Sequence, residues 1–346
     1  MKKIAIFLIG LAGIGLLIGV MSKTVKTSEI TRNPADSTGI TVTDFRGKTV
    51  HLEKPAERIV CLIESALSGL YMLQAGDRVV GISRNVTQEP LIRYYSILDH
   101  RIADRKLPSP GNWDFVSLES VLALKPDLVI IWSEQKESIE SIESHNIPVY
   151  GVFLNSFDDL SKEITDLGKL TGTSSRADSL LSFSQKLTDS LFTILSKTES
   201  KPKVYFSWNQ GLFETSGTNS TVNSLFALSG AQNAVPIPEE HAVISLENLL
   251  SWNPDVIVLW SDPARSPADI LARPELKTLT AVKSGKVHEL PSAFYCDFWT
   301  LKYHLAVRQV AEWAHPELVA LALSDSLKRT ILVHFYGEKG YQLPLD

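Results

Sequence analysis

Ser133-Glu134-Gln135-Lys136 is the stretch of this sequence in which a nucleophile and a base fall at a catalytic spacing. In the S-x-x-K pattern the lysine helps to take the serine's proton, but the companion S-D-N and K-T-G motifs are absent, so the short match carries little. No H-E-x-x-H, G-x-S-x-G or phosphate-loop sequence occurs. The chemistry that the chain does carry is that of recognition. Tryptophans stand at Trp113, Trp132, Trp208, Trp260 and Trp299, and Ala293 to Trp299 reads AFYCDFW, dense in rings around one carboxylate. Such residues stack on planar or macrocyclic ligands, while Arg84 or Arg93 could fork onto the carboxylates of an anionic chelate.

Trp132 and Trp260 each end a copy of one segment. Val116 to Ser133 reads VSLESVLALKPDLVIIWS and Ile244 to Ser261 reads ISLENLLSWNPDVIVLWS, with eight of eighteen positions identical and six more exchanging aliphatic residues. Average composition gives about one chance identity in such a window. The 128-residue spacing exceeds the roughly 20 to 50 residues of solenoid and propeller repeats and implies two copies of a lobe. Leu70 to Leu73 ahead of Gly76 matches Leu225 to Leu228 ahead of Gly230, and Ile147 to Tyr150 matches Gly285 to His288. The offsets differ, so the lobes share an order of elements but not loop lengths.

Periodicity supplies those elements. Thr41 to Phe45 and Thr49 to Leu52 read as a small hairpin. Arg58 to Ile63 is a buried-type strand followed by a helix through Ala66 to Gln74, and Val79 to Ile82 starts the next strand. In each copy a serine, Ser117 or Ser245, stands before a helix; Pro126-Asp127 or Pro254-Asp255 ends it, and a strand follows at Leu128 to Trp132 or Val256 to Trp260. Helices alternating with short aliphatic strands predict α/β lobes with mostly parallel sheets. Leu180, Leu187, Leu191 and Leu195 recur at helical spacing within Ser175 to Lys197, predicting one stiff helix that joins the lobes. Final helices are expected over Leu301 to Trp313 and Glu317 to His334.

The 346 residues, 44% hydrophobic with a net charge of -5, suit two soluble cores, and the body lacks the basic clusters of a nucleic-acid binder. Lys2 and Lys3 precede an uncharged run from Ile4 to Met21, which reads as an export segment, either a cleaved signal peptide or an anchor of roughly 27 Å. No cysteine follows the run to take a lipid, and Ser22 to Ser37 reads as a tether. Cys61 and Cys296 fall one in each lobe; two independent thiols are expected, a single bridge across the cleft being the alternative. His51, His100, His145 and His334 read as surface residues, His304 and His315 as structural ones.

Two unequal α/β lobes, one connecting helix, an export segment and a glutamate-bearing segment in each lobe together resemble the helical-backbone class of ABC-importer substrate-binding proteins. These carry iron-siderophores, haem or cobalamin. The resemblance spans about Thr41 to Gly337, including the His315-Pro316-Glu317 step and the Phe335-Tyr336-Gly337 ending. It implies that Glu119 and Glu247 dock onto arginines of a membrane permease driven by a separate ATPase, and that the ligand is a metal chelate, with no cofactor of the protein's own. Trp113 and Trp132 match tryptophans of cobalamin-binding members, and the same offsets in the second lobe give His241 and Trp260. Many relatives have a glutamate where this chain has Ser68.

Strand ends add Glu64, Ser65, Arg84, Trp208, Asn209, Tyr295 and Trp299 to the expected cleft, since open α/β sheets bind ligands at the carboxyl ends of their strands. Arg93, Tyr94 and Tyr95 read equally as cleft or as loop surface. The expected layout is a signal peptide or anchor at 1-22, a tether at 23-40, lobes at 41-160 and 201-346, and connecting helices at 161-200. The protein is expected to be an exported monomer and not an enzyme. The alternatives are a surface metallochelatase using His241, Tyr295 and Asp297, and a ligand-sensing receptor anchored by Ile4 to Met21.

Overall fold

The computed structural model describes residues 39–319 and 324–345; the expected export segment and most of the tether lie outside them. Among the described residues no helix is long and apolar enough to cross a membrane.

Each lobe is built on a four-stranded parallel sheet, as its aliphatic runs require. In the first the order is Val79–Ile82, Ile59–Cys61, Leu128–Trp132, Val149–Val152. In the second it is Gln232–Asn233, Lys203–Ser207, Val256–Leu259, Val287–Glu289. Both sheets are therefore wound in one order, with the strand that enters the lobe second from the edge and the repeated segment supplying the strand beside it. The shorter likenesses fit as well: Leu70 and Leu225 lie on the equivalent helices Glu64–Met72 and Thr221–Leu228, and Tyr150 and His288 lie on the last strands. The hairpin forms at Ile40–Thr43 and Thr49–Leu52.

The repeat persists in side-chain detail. Ser117 caps the helix Leu118–Ala123 and Ser245 caps Leu246–Trp252, accepting from the backbone N–H of Ser120 and Asn248 at 3.4 and 3.2 Å. Past these helices the chain turns through left-handed residues, Lys125 at φ 47° and Asn253 at φ 43°. The aspartate after each proline then ties the segment to the strand beside it. Asp127 accepts from the N–H groups of Glu57 and Arg58, each at 2.8 Å, and Asp255 accepts from that of Lys203 at 2.8 Å. Backbone donors at a strand's start lack a ladder partner, and these carboxylates satisfy them.

Ser174–Leu195 is the connecting helix, 22 residues and about 33 Å long. Its inner face holds Ala177, Leu180, Ser184, Leu187, Leu191 and Leu195. Side chains fasten it along its length. The Arg176 guanidinium donates to the carbonyls of Met72 and Phe335, each at 3.0 Å, while Ser184 Oγ meets His304 Nε2 at 2.5 Å. Further on, Arg308 donates to the Leu187 carbonyl at 2.9 Å and to Ser190 Oγ at 2.5 Å. One contiguous core runs from Ile59 and Leu67 through this helix to Phe206, Phe226 and Phe294, and the far face of each sheet has a smaller cluster of its own.

Three expectations need correction. The last long helix begins at Asp325, not near Glu317, because Ser324 caps it by accepting from the Leu327 N–H at 3.3 Å. Tyr94 and Tyr95 belong neither to the cleft nor to the surface: they lie on helix Leu91–Leu98, are 3% and 1% exposed, and Tyr94 stacks on Phe294 of the other lobe at 4.4 Å. His334 is half-buried and stacks on Phe183 at 3.8 Å. The cysteines are free and buried, and burial pushes the Cys61 thiol up strongly and that of Cys296 to about 12. His304 and His315 are buried, the latter bonded to the Gly230 carbonyl at 3.0 Å.

Candidate ligand-binding cleft

In the first sheet the winding reverses between Ile59–Cys61 and Leu128–Trp132, and a crevice must open outside the carboxyl ends of strands that part in this way. A cavity of about 430 Å³ lies there. Ile63, Glu64 and Ser65 enter it from the end of one parting strand, Trp132 from the other, and Val152 to Asn155 from the last. Trp113 arrives on a loop braced by Asn112, whose Oδ1 accepts from the N–H groups of Asp114 and Phe115 at 3.0 and 3.1 Å. The other lobe contributes Glu240, Asp297 and Trp299. Trp113 is 51% exposed at the mouth, whereas Trp132 is half-buried and leans on Phe153 at 5.0 Å.

A polar layer underlies the apolar wall. Glu64 Oε1 accepts from Ser83 Oγ at 2.6 Å, which fixes its carboxylate at the first turn of its helix. Asp297 has the ammonium of Lys302 4.0 Å away. Burial raises the Asp297 carboxyl above its usual range against the pull of Lys302, and burial brings Lys302 down to about 8 against the pull of Asp297. Lys302 also donates to Ser68 Oγ at 3.3 Å and lies 3.7 Å over the Phe294 ring, while Ser68 Oγ pairs with Tyr336 Oη at 2.6 Å. A hydroxyl at Ser68 thus joins the first helix to the second lobe's Lys302. Glu163 is 2% exposed and its Oε1 has no partner among the described residues. Burial foremost, then Asp297 and Asp166, pushes it up to about 8.

The remaining expected residues stand outside this lining. Trp208 and Trp260 are half-buried, as Trp299 is, and pack against it and the fully buried Phe298: Trp208 stacks parallel to Trp299 at 6.2 Å, and Trp260 meets Phe298 at 5.1 Å. The segment after the last strand brings Phe298 and Trp299 against both indoles, and of these rings Trp299 lines the cavity. His241 is exposed and bonded to Glu214 Oε2 at 2.8 Å, Tyr295 is 4% exposed with its hydroxyl on the Pro344 carbonyl, and Arg84 is exposed beyond Ser83. Of the three groups a chelatase would draw together, the cavity receives only Asp297. Among the described residues no three His, Cys, Asp or Glu side chains are grouped to hold a metal ion. Glu119 and Glu247 are exposed in the first turns of the repeated helices, and the Glu247 carboxyl is held below its usual range by its bond with Ser245.

Asn155 and Phe153 were within reach of the carboxyl-end rule applied to the last strand, since Val152 ends it. Glu240 lies on a loop with no pattern to reveal it.

Two parallel sheets of one winding, held on a shared helix with a cavity at the strand ends, define a two-lobed binding protein. The chain belongs to the periplasmic binding protein family, which it matches over residues 59–294. It is 25% identical to the uncharacterized ABC transporter substrate-binding lipoprotein YvrC of Bacillus subtilis over 72% of this chain and 78% of that one. A cobalamin-binding protein of Halobacterium salinarum is 25% identical over 72% of this chain and 67% of its own length. In fold, the molybdate periplasmic binding protein MolA of Haemophilus influenzae matches with a TM-score of 0.74 at 23% identity, covering 86% of this chain and 97% of that one.

Proposed function

We propose that this protein captures a metal chelate, an iron-siderophore, haem or a corrinoid, in the cleft and delivers it outside the cytoplasm to the permease of an ABC importer. The observation that carries this reading is the cavity walled by Trp113, Trp132 and Trp299 at the reversal of the sheet, in a chain of this family. The names of the relatives support it: one is a transporter's substrate-binding lipoprotein and one binds cobalamin. Three indoles suit a flat macrocycle or chelate better than a small ion, since each offers a wide face for stacking. Trp208, Trp260, Tyr295 and Arg84 would act from behind or beside that wall, and His241 from its margin.

Glu119 and Glu247 serve as the docking pair. Both are exposed, both follow a capping serine in copies of one segment, and the connecting helix holds their lobes together. Two carboxylates so placed steer a pseudo-symmetric basic partner. The protein purified from its source should carry the chelate, read from its absorption spectrum and metal content. The double variant Glu119→Ala, Glu247→Ala should keep ligand affinity and abolish uptake; normal uptake would remove the docking assignment.

A further inference from the structure

The side chains that line the cavity give it a sign. Among the described residues its ionisable groups are Glu64, Glu240 and Asp297, and none of those that line it is an arginine, lysine or histidine. From this, resting on the reading that the cleft takes a metal chelate, we infer that it selects chelates of zero or positive net charge and rejects anionic ones.

The bases nearby are either committed elsewhere or outside the lining. Lys302 is fully buried behind Asp297, 4.0 Å from its carboxylate and bonded to Ser68. Arg265 donates to Ser207 Oγ at 3.0 Å and to the Trp208 carbonyl at 2.6 Å, and His241 is held by Glu214 at 2.8 Å. Arg84 is exposed outside the lining. An anionic chelate held among indoles would need charge-assisted donors to replace its water, and the lining supplies none from a cationic side chain.

Carboxylates meet a ligand instead. Glu64 belongs to one lobe and Glu240 to the other, and neither has a base within ion-pair distance among the described residues. Ser83 holds the Glu64 carboxylate in place, so it cannot swing from an approaching anion without breaking a 2.6 Å bond. The faces of Trp113, Trp132 and Trp299 favour a cation in the same sense, through their negative quadrupoles. Attraction for one sign and repulsion of the other is how a cleft separates ligands of like shape.

Tryptophan fluorescence titrations of the purified protein at pH 7.5 test this with two matched pairs: diaquacobinamide against the heptacarboxylate cobyrinic acid, and an amine-bearing ferric trihydroxamate against a ferric tris-catecholate. In whichever pair binds, the cationic member should bind about tenfold or more tightly than the anionic one, and added salt should narrow the gap. Glu240→Gln, on an exposed loop where folding is not at stake, and Glu64→Gln should each narrow it about threefold. Equal or tighter binding of the anionic member would overturn the charge selectivity and leave the transport reading standing. Binding of none of the four would overturn the chelate reading itself, and this inference with it.

Discussion

Glu163→Gln should stabilise the protein, and increasingly so as pH rises. Glu163 lies on helix Phe157–Leu170 with 2% of its surface exposed, an unpartnered Oε1, and a carboxyl pushed from its ordinary 4.5 up to about 8, chiefly by burial. Between those values the folded protein keeps a proton that the unfolded chain has released, so folding stability falls as pH rises through the window. Each pH unit is worth about 1.4 kcal/mol, giving about 2 kcal/mol between pH 6.5 and 8. Buried His304, lowered to about 3, acts with the opposite sign, but its contribution grows from about pH 3 to 6.5 and is complete above that. The interval from 6.5 to 8 is therefore the place to look. Urea unfolding of the wild type and the variant at three pH values across it should show the difference in stability growing by about 2 kcal/mol. A constant difference would mean that Glu163 is already ionised in the folded protein, and the account of burial as its dominant influence would fail.

Asp127→Ala strips acceptors from two strand-start N–H groups and should cost about 2 to 3 kcal/mol in denaturant unfolding, more than Asp255→Ala, which strips one; equal losses would deny the bonds their role. Trp132→Ala should weaken chelate binding by about 1 to 2 kcal/mol, whereas Trp208→Ala, which removes a half-buried ring packed on Trp299 outside the lining, should lower stability by about 1 to 3 kcal/mol, both read by calorimetry. Because one core runs through both lobes, small-angle scattering should show little compaction on ligand addition; a large decrease in radius would imply a hinge within that core.

The elements that the sequence disclosed best were those whose neighbours are local. Short aliphatic runs named the strands, Ser117 and Ser245 marked helix starts, and the spacing of Leu180, Leu187, Leu191 and Leu195 traced the connecting helix nearly to its observed ends. In the first lobe the strand-end rule also led to Glu64, Ser65 and Trp132, because that sheet opens directly on the cavity. In the second it led to Trp208 and Trp260, which pack against Phe298 and Trp299 outside that lining. The AFYCDFW run is rich in rings, yet ring content does not say which of them face solvent. Its direction is set by distant partners: Phe294 by Tyr94 of the other lobe, Tyr295 by Pro344, and the Asp297 neighbourhood by Lys302. Tyr94 reads as cleft or loop surface for the same reason, since its partner lies some two hundred residues away.

Those long-range contacts explain why the two halves diverged where they did. The repeated segment is constrained at both ends by bonds of its own lobe, the serine cap and the aspartate on the neighbouring strand, so both copies keep one shape and the same exposed glutamate. The strand ends are tied differently in the two lobes, Glu64 by Ser83 in the first and Ser207 and Trp208 by Arg265 in the second, and the second lobe's Trp208 and Trp260 pack against Phe298 and Trp299, just ahead of the Lys302 that bonds Ser68. A glutamate at Ser68 would put a second carboxylate beside Lys302, within reach to compete with Asp297 for that cation; the hydroxyl instead leaves Lys302 to Asp297. Symmetry outside and asymmetry within thus have one physical origin: local bonds preserve the repeat, and cross-lobe packing decides what the ligand meets.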